Sequence, residues 1–590
     1  MCGLFFSNKP TDDVKLIRPF IELRGRDETN ILKTESALLL HSRLAINNFG
    51  KIGKQPLVVR SGSMTIQFNG EIYNFKELTR EYYGGENIND TLLLGKLIVD
   101  FGVYDAISKI NGMYAIVICD YASGKIFCAR DQFGQKPLFY VSSGQKLRIS
   151  SSLQALANLT NASPSERAFK VYSVYGYFPS PYSAYESIFQ CEPGTITEFD
   201  LRTSEKLLET EIQYTPKENL GELASLEPAD TIFLFDQMAK RHVCDDTRSC
   251  LMLSGGVDST LVSTFMVEHG VTDSFSVGFP EHNDFDETND AVKTASMLGL
   301  DHTVLEFSQS DYFRQISDIN IIYEQPFGDS SALPTSLLLK ELAYTGYKVA
   351  FGGDGGDELF FGYKRHKKFG DVYAIKPFLQ KLFKSTDALG IKFKSDKFKR
   401  LYDLSCSETK SSFILQTRNL SRNKIDYSHL HHGVQRKGTF VETLKYFDIK
   451  SIFSNDLMMK TDRPSMYYGL EVRSPLIDFD INVLSDILLQ RDRYFYRRNK
   501  KYLKEIIQFK NSKVPIKTGK KGFSVPVDNW IRKEWFNWAS DLMSDFCNER
   551  RFDYDYDVAR LIFKEHMENK VNSRDFIWSL LMYQNWIQEL

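Results

Sequence analysis

The sequence lacks the cysteine pairs and histidine clusters from which disulfide frameworks and zinc sites are built. It has eight cysteines, at positions 2, 119, 128, 191, 244, 250, 406 and 547. They form no CxxC pair and no group with histidine at zinc spacing. The run "HLHH" at 429–432 has no further ligands nearby and is interpreted as a polar loop. Scattered cysteines of this kind predict reduced thiols, a cytoplasmic location and no structural metal.

The chain also lacks a strong charge of one sign and any long hydrophobic run. Its formal net charge is -2, so no overall field recruits nucleic acid or an anionic membrane. No apolar run approaches the ~18 residues that span a bilayer. The N-terminus lacks the charged-then-apolar layout of a secretory signal. We therefore expect no nucleic-acid partner and no membrane association.

What remains is a long chain of ordinary globular composition, with 590 residues, 42% of them hydrophobic and 25% charged. This length predicts roughly two to four domains. In the first part, runs such as "SMTIQFNGEIYNF" and "MYAIVICDYASGKIFCARD" are strand-like and broken by turn residues. Helical pattern appears only between them. Hairpins with a few helices predict an α+β layered sandwich over 1–210, followed by a polar linker over 211–230.

The remainder, 231–590, has a different pattern. "SCLMLSGGVDSTLVSTFMVEHG" indicates a buried strand, a glycine turn and a helix, and "YKVAFGGDGGDELFFGY" indicates a strand, a glycine-rich loop and a helix. Strands that alternate with helices predict an α/β domain with a parallel sheet and ligands at the carboxyl ends of its strands. Beyond about residue 365 the pattern is mostly helical.

The first eight residues, "MCGLFFSN", place a cysteine directly behind the initiator methionine. Removal of Met1 would leave Cys2 with a thiol and a free α-amine on one residue, which is a nucleophile beside its own base. The alternative is a small buried hydrophobe that falls early in the chain.

Two glycine-rich loops carry the second chemical signal. In "LSGGVDST", Ser254, Gly255 and Gly256 allow a tight turn that points backbone N–H groups at a phosphate. Asp258 would hold Mg²⁺ on a pyrophosphate, and Ser259 would donate to phosphate oxygens. A merely N-capped helix is the alternative. The second loop, "FGGDGGDELFFGY", clusters Asp354, Asp357 and Glu358 among glycines, which indicates metal or catalytic use.

These motifs resemble, in order and along nearly the whole chain, the glutamine-dependent asparagine synthetases. The first half has "MCGLFF", "RGRD" at 24–27, "HSRLAI" at 41–46, "QPL" at 55–57, "FNGEIYNF" at 68–75 and "ARDQFGQKPLFY" at 129–140. The second half has "LSGGVDST", "FSVGF", "EQPFGDSSALP", "GGDGGDELFFGY", "MMKTDRPSMYYGLEVRSPLID" and "KKGFSVP". "SGGxDS" is the loop motif of the ATP pyrophosphatases.

For the first half, the resemblance implies a class II glutamine amidotransferase with the Ntn-hydrolase αββα sandwich. Cys2 would attack the side-chain amide of glutamine, with its own amine as base. The positions that match the family's oxyanion hole are Asn69 and Gly70. The positions that match the sites for the α-carboxylate and α-ammonium groups of glutamine are Arg43, Glu71 and Asp90.

For the second half, the resemblance implies an ATP pyrophosphatase synthetase domain. The matching ATP-binding positions are Leu253, Ser254, Gly255, Gly256, Asp258, Ser259, Val277, Gly352 and Gly353. Asp258 and Asp357 match Mg²⁺ ligands, Asp354 a base for the attacking ammonia, and Lys520 a lysine near the α-phosphate. Aspartate would be adenylated to β-aspartyl-AMP. Ammonia that arrives through an internal channel would then displace AMP and give asparagine. Dry channel walls keep the ammonia unprotonated. The family often dimerises.

Several positions depart from the family pattern, including Arg26, Leu92, Gly352 and the stretch "TGKKGF". They leave the acceptor open between aspartate, which we favour, and a uronate sugar of surface polysaccharides. Cys2 argues against a β-lactam synthetase, whose glutaminase half is inactive. A sensor without catalysis predicts loss of Cys2, Asp258 or Asp357, and a stand-alone glutaminase predicts incomplete synthetase loops. Neither prediction fits the sequence.

Overall fold

The computed structural model describes residues 2–46, 53–215, 227–244, 247–279, 287–388, 438–492, 494–516 and 525–590, together with Leu404 and Ser407. Lys520, "HLHH" and residues 216–226 of the predicted linker lie outside these residues. No helix among the described residues is both long and apolar enough to cross a bilayer.

In the part of the chain that the structure describes, seventeen strands form three sheets. The strands are β1 (Cys2–Ser7), β2 (Glu28–Lys33), β3 (Leu38–Arg43), β4 (Leu57–Val59), β5 (Met64–Ile72), β6 (Gly112–Asp120), β7 (Lys125–Arg130), β8 (Phe139–Ser143), β9 (Lys146–Ser150), β10 (Phe189–Gln190), β11 (Thr195–Asp200), β12 (Lys206–Glu211), β13 (Ser249–Met252), β14 (Asp273–Gly278), β15 (Asp301–Glu306), β16 (Val349–Phe351) and β17 (Glu471–Arg473).

The helices of the described residues fall into three groups along the chain. Those of the first part are α1 (Val14–Glu22), α2 (Phe75–Tyr83), α3 (Asp90–Phe101), α4 (Val103–Lys109), α5 (Leu153–Thr160) and α6 (Glu166–Tyr175). Those around the third sheet are α7 (Pro228–His242), α8 (Val257–Met266), α9 (Thr288–Leu298), α10 (Gln309–Tyr323), α11 (Ala332–Tyr344), α12 (Gly356–Leu359) and α13 (Lys364–Ala388). The C-terminal set comprises α14 (Phe440–Phe447), α15 (Met458–Tyr468), α16 (Phe479–Arg491), α17 (Lys501–Lys510), α18 (Val527–Arg532), α19 (Phe536–Glu549), α20 (Tyr556–Met567) and α21 (Arg574–Ile587). A π-helical segment, Asp448–Leu457, lies between α14 and α15.

The first part of the chain is a four-layer αββα sandwich. Its two antiparallel sheets have the strand orders β10-β8-β9-β1-β3-β2 and β12-β11-β7-β6-β5-β4. On β1, Leu4 and Phe6 pack between the sheets, whereas Phe5 packs outward with Ile17 of α1. Successive side chains of a strand point to opposite faces, so a strand covered on both sides is apolar throughout. This explains the unbroken run "CGLFF" and confirms the predicted sandwich.

The third sheet is parallel, with the order β15-β14-β13-β16-β17. The chain leaves β13 towards β14 and β15 on one side, and returns to β16 and β17 on the other. The carboxyl ends of β13 and β16 therefore flank a topological switch point, where α/β sheets bind ligands. Both glycine-rich loops begin at these ends. The predicted parallel sheet and helical C-terminal part are confirmed.

Buried ion pairs join the sandwich to the C-terminal helices. Asp462 of α15 accepts hydrogen bonds from Arg24 at 2.8 Å and from Lys136 at 3.0 Å. Burial alone would raise the pKa of Asp462, but these cations and Arg463 lower it to about 2. Breaking one partner of such a buried set would leave an uncompensated charge, so the two parts are fixed against each other.

Candidate functional site

The first candidate site lies where the two sheets of the sandwich meet at the start of the chain. Cys2 opens β1 and is paired in register with Arg43 at the end of β3. Its backbone nitrogen donates to Asn69 Oδ1 of β5, in the other sheet, at 2.9 Å. The atom that becomes the α-amine when Met1 is removed is therefore already held against Asn69.

Asn69 supplies a second group to this site. Its side chain is fully buried, and its Nδ2 has no hydrogen-bond partner among the described residues. A buried donor without a partner is costly, which makes such an atom a candidate ligand group. Gly70 follows it in the strand. The oxyanion-hole roles of both residues stay predictions.

The thiol of Cys2 lies in an unusual electrostatic environment. Burial raises its pKa, but His41 and Arg43 oppose this effect, and the resulting pKa is lowered from 9.0 to about 7. His41 belongs to β3, is fully buried and contacts Phe68 O at 3.3 Å through Nε2. The "HSRLAI" motif contained His41, but nothing in the sequence indicated its contact with Cys2.

The predicted glutamine-binding residues gather at the rim of the same site. Glu71 lies two residues after Asn69 on β5, and Asp90 opens α3. Burial raises the pKa of Glu71 to about 8 and also raises the pKa of Asp90. Asp90 and Glu71 are near enough for each to be an electrostatic neighbour of Glu471. At Leu92, a departure from the family pattern, the backbone N–H donates to Asn89 Oδ1 at 2.9 Å, so Asn89 caps the N-terminus of α3.

The second candidate site is built from the loop after β13. Gly255 has φ +69, a left-handed conformation that favours glycine, and a Cβ there would lie 2.7 Å from Ala291 N. The Ser259 hydroxyl accepts from Ser254 N at 3.2 Å and donates to Gly256 O at 3.2 Å. Within the described residues no side chain caps the N-terminus of α8. Its backbone N–H groups fit an anion.

The loop after β16 packs directly onto this turn. A Cβ at Gly353 would lie 2.6 Å from Ser259 N, so only glycine permits the approach. Gly352 N donates to Arg473 O at 2.9 Å. Leu253 and Val277, the predicted adenine neighbours, are buried at the ends of β13 and β14. The structure thus brings the predicted ATP-binding positions, all of which lie among the described residues, to one switch point.

The two predicted Mg²⁺ ligands, Asp258 and Asp357, lie side by side. Both carboxylates form an ion pair with Lys500 Nζ, a residue that the sequence patterns did not single out. The ammonium group of Lys500 lies between the two carboxylates, so Asp258 and Asp357 are close enough to bind one cation together. No group of three or more His, Cys, Asp or Glu side chains forms a metal cage in the described part of the chain. Mg²⁺ is commonly held by one or two carboxylates together with substrate phosphates.

Asp354, the predicted base, lies half-buried on the second loop. Ser474 donates to its Oδ2 at 3.4 Å. Lys460 is an electrostatic neighbour of Asp354, Asp329 and Asp456, and its Nζ lies 3.1 Å from Asp329 Oδ2. This charged group faces the same loop and was also missed in the sequence.

A four-layer sandwich that begins with a cysteine, joined to a parallel sheet with two glycine loops, defines an Ntn-type amidotransferase half and a nucleotide-binding half. The family comparisons agree with this class. A family model described as glutamine amidotransferase domain matches residues 1–210, and one described as asparagine synthase matches residues 233–588. The chain belongs to the asparagine synthase family.

Three curated relatives show the extent of the similarity. Asparagine synthetase [glutamine-hydrolyzing] 1 of Bacillus subtilis is 26% identical over 99% of this chain and 96% of its own length. Putative asparagine synthetase [glutamine-hydrolyzing] 2 of Methanocaldococcus jannaschii is 31% identical over 62% of this chain and 76% of its own. Asparagine synthetase B of Escherichia coli is 27% identical over 62% and 65%, respectively.

Proposed function

We propose that the chain is an ATP-dependent carbon–nitrogen ligase that takes ammonia from glutamine and transfers it to the β-carboxylate of aspartate. The observation that carries this proposal is Cys2, a buried thiol of lowered pKa whose own nitrogen is held at Asn69. We further propose a glutaminase domain over 1–210 and a synthetase domain over 231–590, consistent with the ranges of the two family models.

In the glutaminase reaction, the α-amine of Cys2 accepts the thiol proton as sulfur attacks the amide carbon of glutamine. Asn69 Nδ2 and the Gly70 N–H donate to the oxygen that becomes negative. The amine then returns the proton to the departing nitrogen, which leaves as ammonia. Water hydrolyses the thioester and releases glutamate. Arg43 binds the α-carboxylate of glutamine as a bidentate fork, while Glu71 and Asp90 accept from its ammonium group.

In the synthetase reaction, the acceptor carboxylate attacks the α-phosphorus of ATP and pyrophosphate leaves. The turn from Ser254 to Ser259 binds the phosphates through backbone N–H groups. Mg²⁺ held by Asp258 and Asp357 would offset the negative charge of the pyrophosphate. Ammonia then attacks the acyl carbon, AMP leaves and Asp354 accepts the surplus proton. The second half thereby produces asparagine, AMP and pyrophosphate.

The charge around Asp354 supports aspartate rather than a uronate sugar. Within the described residues, Asp329, Asp354 and Asp456 are all electrostatic neighbours of the Lys460 ammonium, which places three carboxylates near one another. The α-ammonium group of aspartate would pair with one of these carboxylates, whereas a uronate has no positive group that could do so. The uronate remains the second candidate, and no contact among the described residues favours it.

The test is an acceptor comparison with the full chain. Glutamine and Mg-ATP are supplied with aspartate, with a nucleotide-linked uronate, or with neither, and AMP, glutamate and the amide product are measured. We expect AMP and asparagine in equal amounts only with aspartate. AMP formation only with the uronate would transfer the activity to polysaccharide amidation. Absence of glutamate and AMP under every condition would refute the ligase and favour a non-catalytic binding protein.

A further inference from the structure

Arg473 is a buried arginine of the synthetase half that contacts the glutaminase half. It ends strand β17, where its backbone pairs with Phe351 of β16 and its carbonyl accepts from Gly352 N at 2.9 Å. Its backbone therefore supports the loop that begins with Gly352 and carries Asp354. Its side chain is 1% exposed and extends into the other half of the molecule.

The guanidinium group of Arg473 reaches the glutamine pocket. Its Nη2 lies 3.4 Å from Glu71 Oε2, while Nε bonds Glu471 Oε1 at 2.6 Å and Nη1 donates to His242 O at 2.7 Å. The Tyr73 ring lies beneath it, 5.7 Å from the guanidinium carbon. Two contacts within its own half thus fix the guanidinium group where its remaining edge meets Glu71.

Glu71 depends on this cation because burial and the neighbouring carboxylates oppose ionisation. Burial is the largest influence and raises its pKa, Asp90 and Glu471 raise it further, and Arg473 and the N-terminal amine lower it. Arg473 is the largest of the lowering influences. Only the ionised carboxylate attracts an ammonium group, so the state of Glu71 governs how well the pocket binds an amino acid.

We propose that Arg473 is a positioning residue for the glutamine site: supplied by the synthetase half, it pairs with the Glu71 carboxylate and orients it towards the α-ammonium group of glutamine. This inference rests on the proposed function and deepens it. Arg473 acts through Glu71 and takes no part in bond making. Its backbone supports the loop of Asp354, so one residue contributes to both sites.

The sign of the pH effect follows from the charges. The pKa of Glu71 is raised to about 8, so glutamine affinity should fall as the pH is lowered through that value. Loss of the Arg473 charge removes the largest influence that lowers the pKa of Glu71. The midpoint of the pH dependence of glutamine binding should therefore move to higher pH. Loss of the Glu471 charge removes a like charge and should move it to lower pH. Each unit of displacement corresponds to about a tenfold change in affinity well below the midpoint.

The experiment measures glutamine binding by calorimetry from pH 6 to 8.5 in the full chain carrying C2A, which removes the thiol titration. We expect R473Q to weaken binding at pH 7 by about tenfold and to raise the midpoint. R473K should restore part of the affinity, and E471Q should lower the midpoint. R148Q is the matched control, because Arg148 is also buried but pairs with Asp12 at 2.7 Å away from the pocket.

The outcomes separate the two proposals. Absence of glutamine binding to the C2A chain at every pH would contradict the proposed function itself. Binding to C2A with unchanged midpoints in R473Q and E471Q would overturn the role of Arg473 alone. Midpoints that move in the same direction in both variants would also overturn it. The two residues carry opposite charges, so an electrostatic effect shifts the midpoints in opposite directions, whereas a structural disturbance does not depend on the sign of the charge. Should R473Q not fold, R473K and E471Q still decide between these outcomes.

Discussion

Replacement of Asn69 tests the glutaminase chemistry most sharply, because the two ends of its amide have separate roles. Oδ1 accepts from Cys2 N at 2.9 Å, whereas Nδ2 is buried without a partner among the described residues. N69A removes both groups. N69D retains an oxygen that faces the Cys2 nitrogen and replaces the donor by a second carboxylate oxygen, which also adds a negative charge.

Loss of one oxyanion-hole donor costs about 10²- to 10³-fold in kcat, or about 2.7 to 4 kcal/mol. We expect both variants to lose this much glutamine hydrolysis, measured as glutamate release at saturating glutamine. Ammonia-dependent synthesis should change less than about twofold, because Asn69 belongs to the other half. Loss of the single hydrogen bond in N69A should lower the free energy of unfolding by only about 1 kcal/mol.

Gln67 provides the matched control on the same strand. It is fully buried, and its Nε2 donates to Phe5 O at 3.2 Å and to Leu40 O at 2.9 Å. Q67L should therefore lower stability at least as much as N69A and leave kcat nearly intact. The reasoning would be refuted if N69D retained more than a tenth of wild-type glutaminase activity, or if Q67L lost as much activity as N69A.

Three further predictions address the two sites separately. C2A should abolish glutamine use and leave ammonia-dependent synthesis, measured as AMP formed with ammonium chloride; a parallel loss of both activities would contradict the division of labour. D258N and D357N should each reduce AMP formation by at least about 100-fold with either nitrogen source, while glutamate release persists; a normal rate of AMP formation would exclude the proposed cation pair. Intact-mass measurement should show that Met1 is removed, and a mature chain that retains Met1 would leave Cys2 without a free amine as its base.

The sequence predicted those parts of the fold whose physical causes are local. The turn in "YASGK" connects β6 to β7, as its glycine and polar residues indicate. The loops after β13 and β16 were recognised because close backbone approach requires glycine at fixed spacing. The polar stretch Lys206–Glu211 forms β12, since an edge strand needs few buried residues and pairs through its backbone with β11.

The contacts that could not be predicted join segments far apart in the chain. Lys500 sits in "RRNKKYLKE", where several basic residues look alike, and only the folded chain brings it to Asp258 and Asp357. Arg473 lies in a recognised motif, yet its approach to Glu71 depends on how the two halves pack. The roles assigned to the site residues, Lys520 among them, stay predictions until they are measured.

Transfer of ¹⁵N from the glutamine amide to the product measures whether nitrogen released in the first half reaches the acceptor in the second. The wild-type chain is incubated with glutamine labelled with ¹⁵N in its amide, Mg-ATP and aspartate. The account predicts ¹⁵N-asparagine, glutamate and AMP in a 1:1:1 ratio. Release of glutamate with all of the ¹⁵N in free ammonium, and no ¹⁵N-asparagine formed together with AMP, would contradict it.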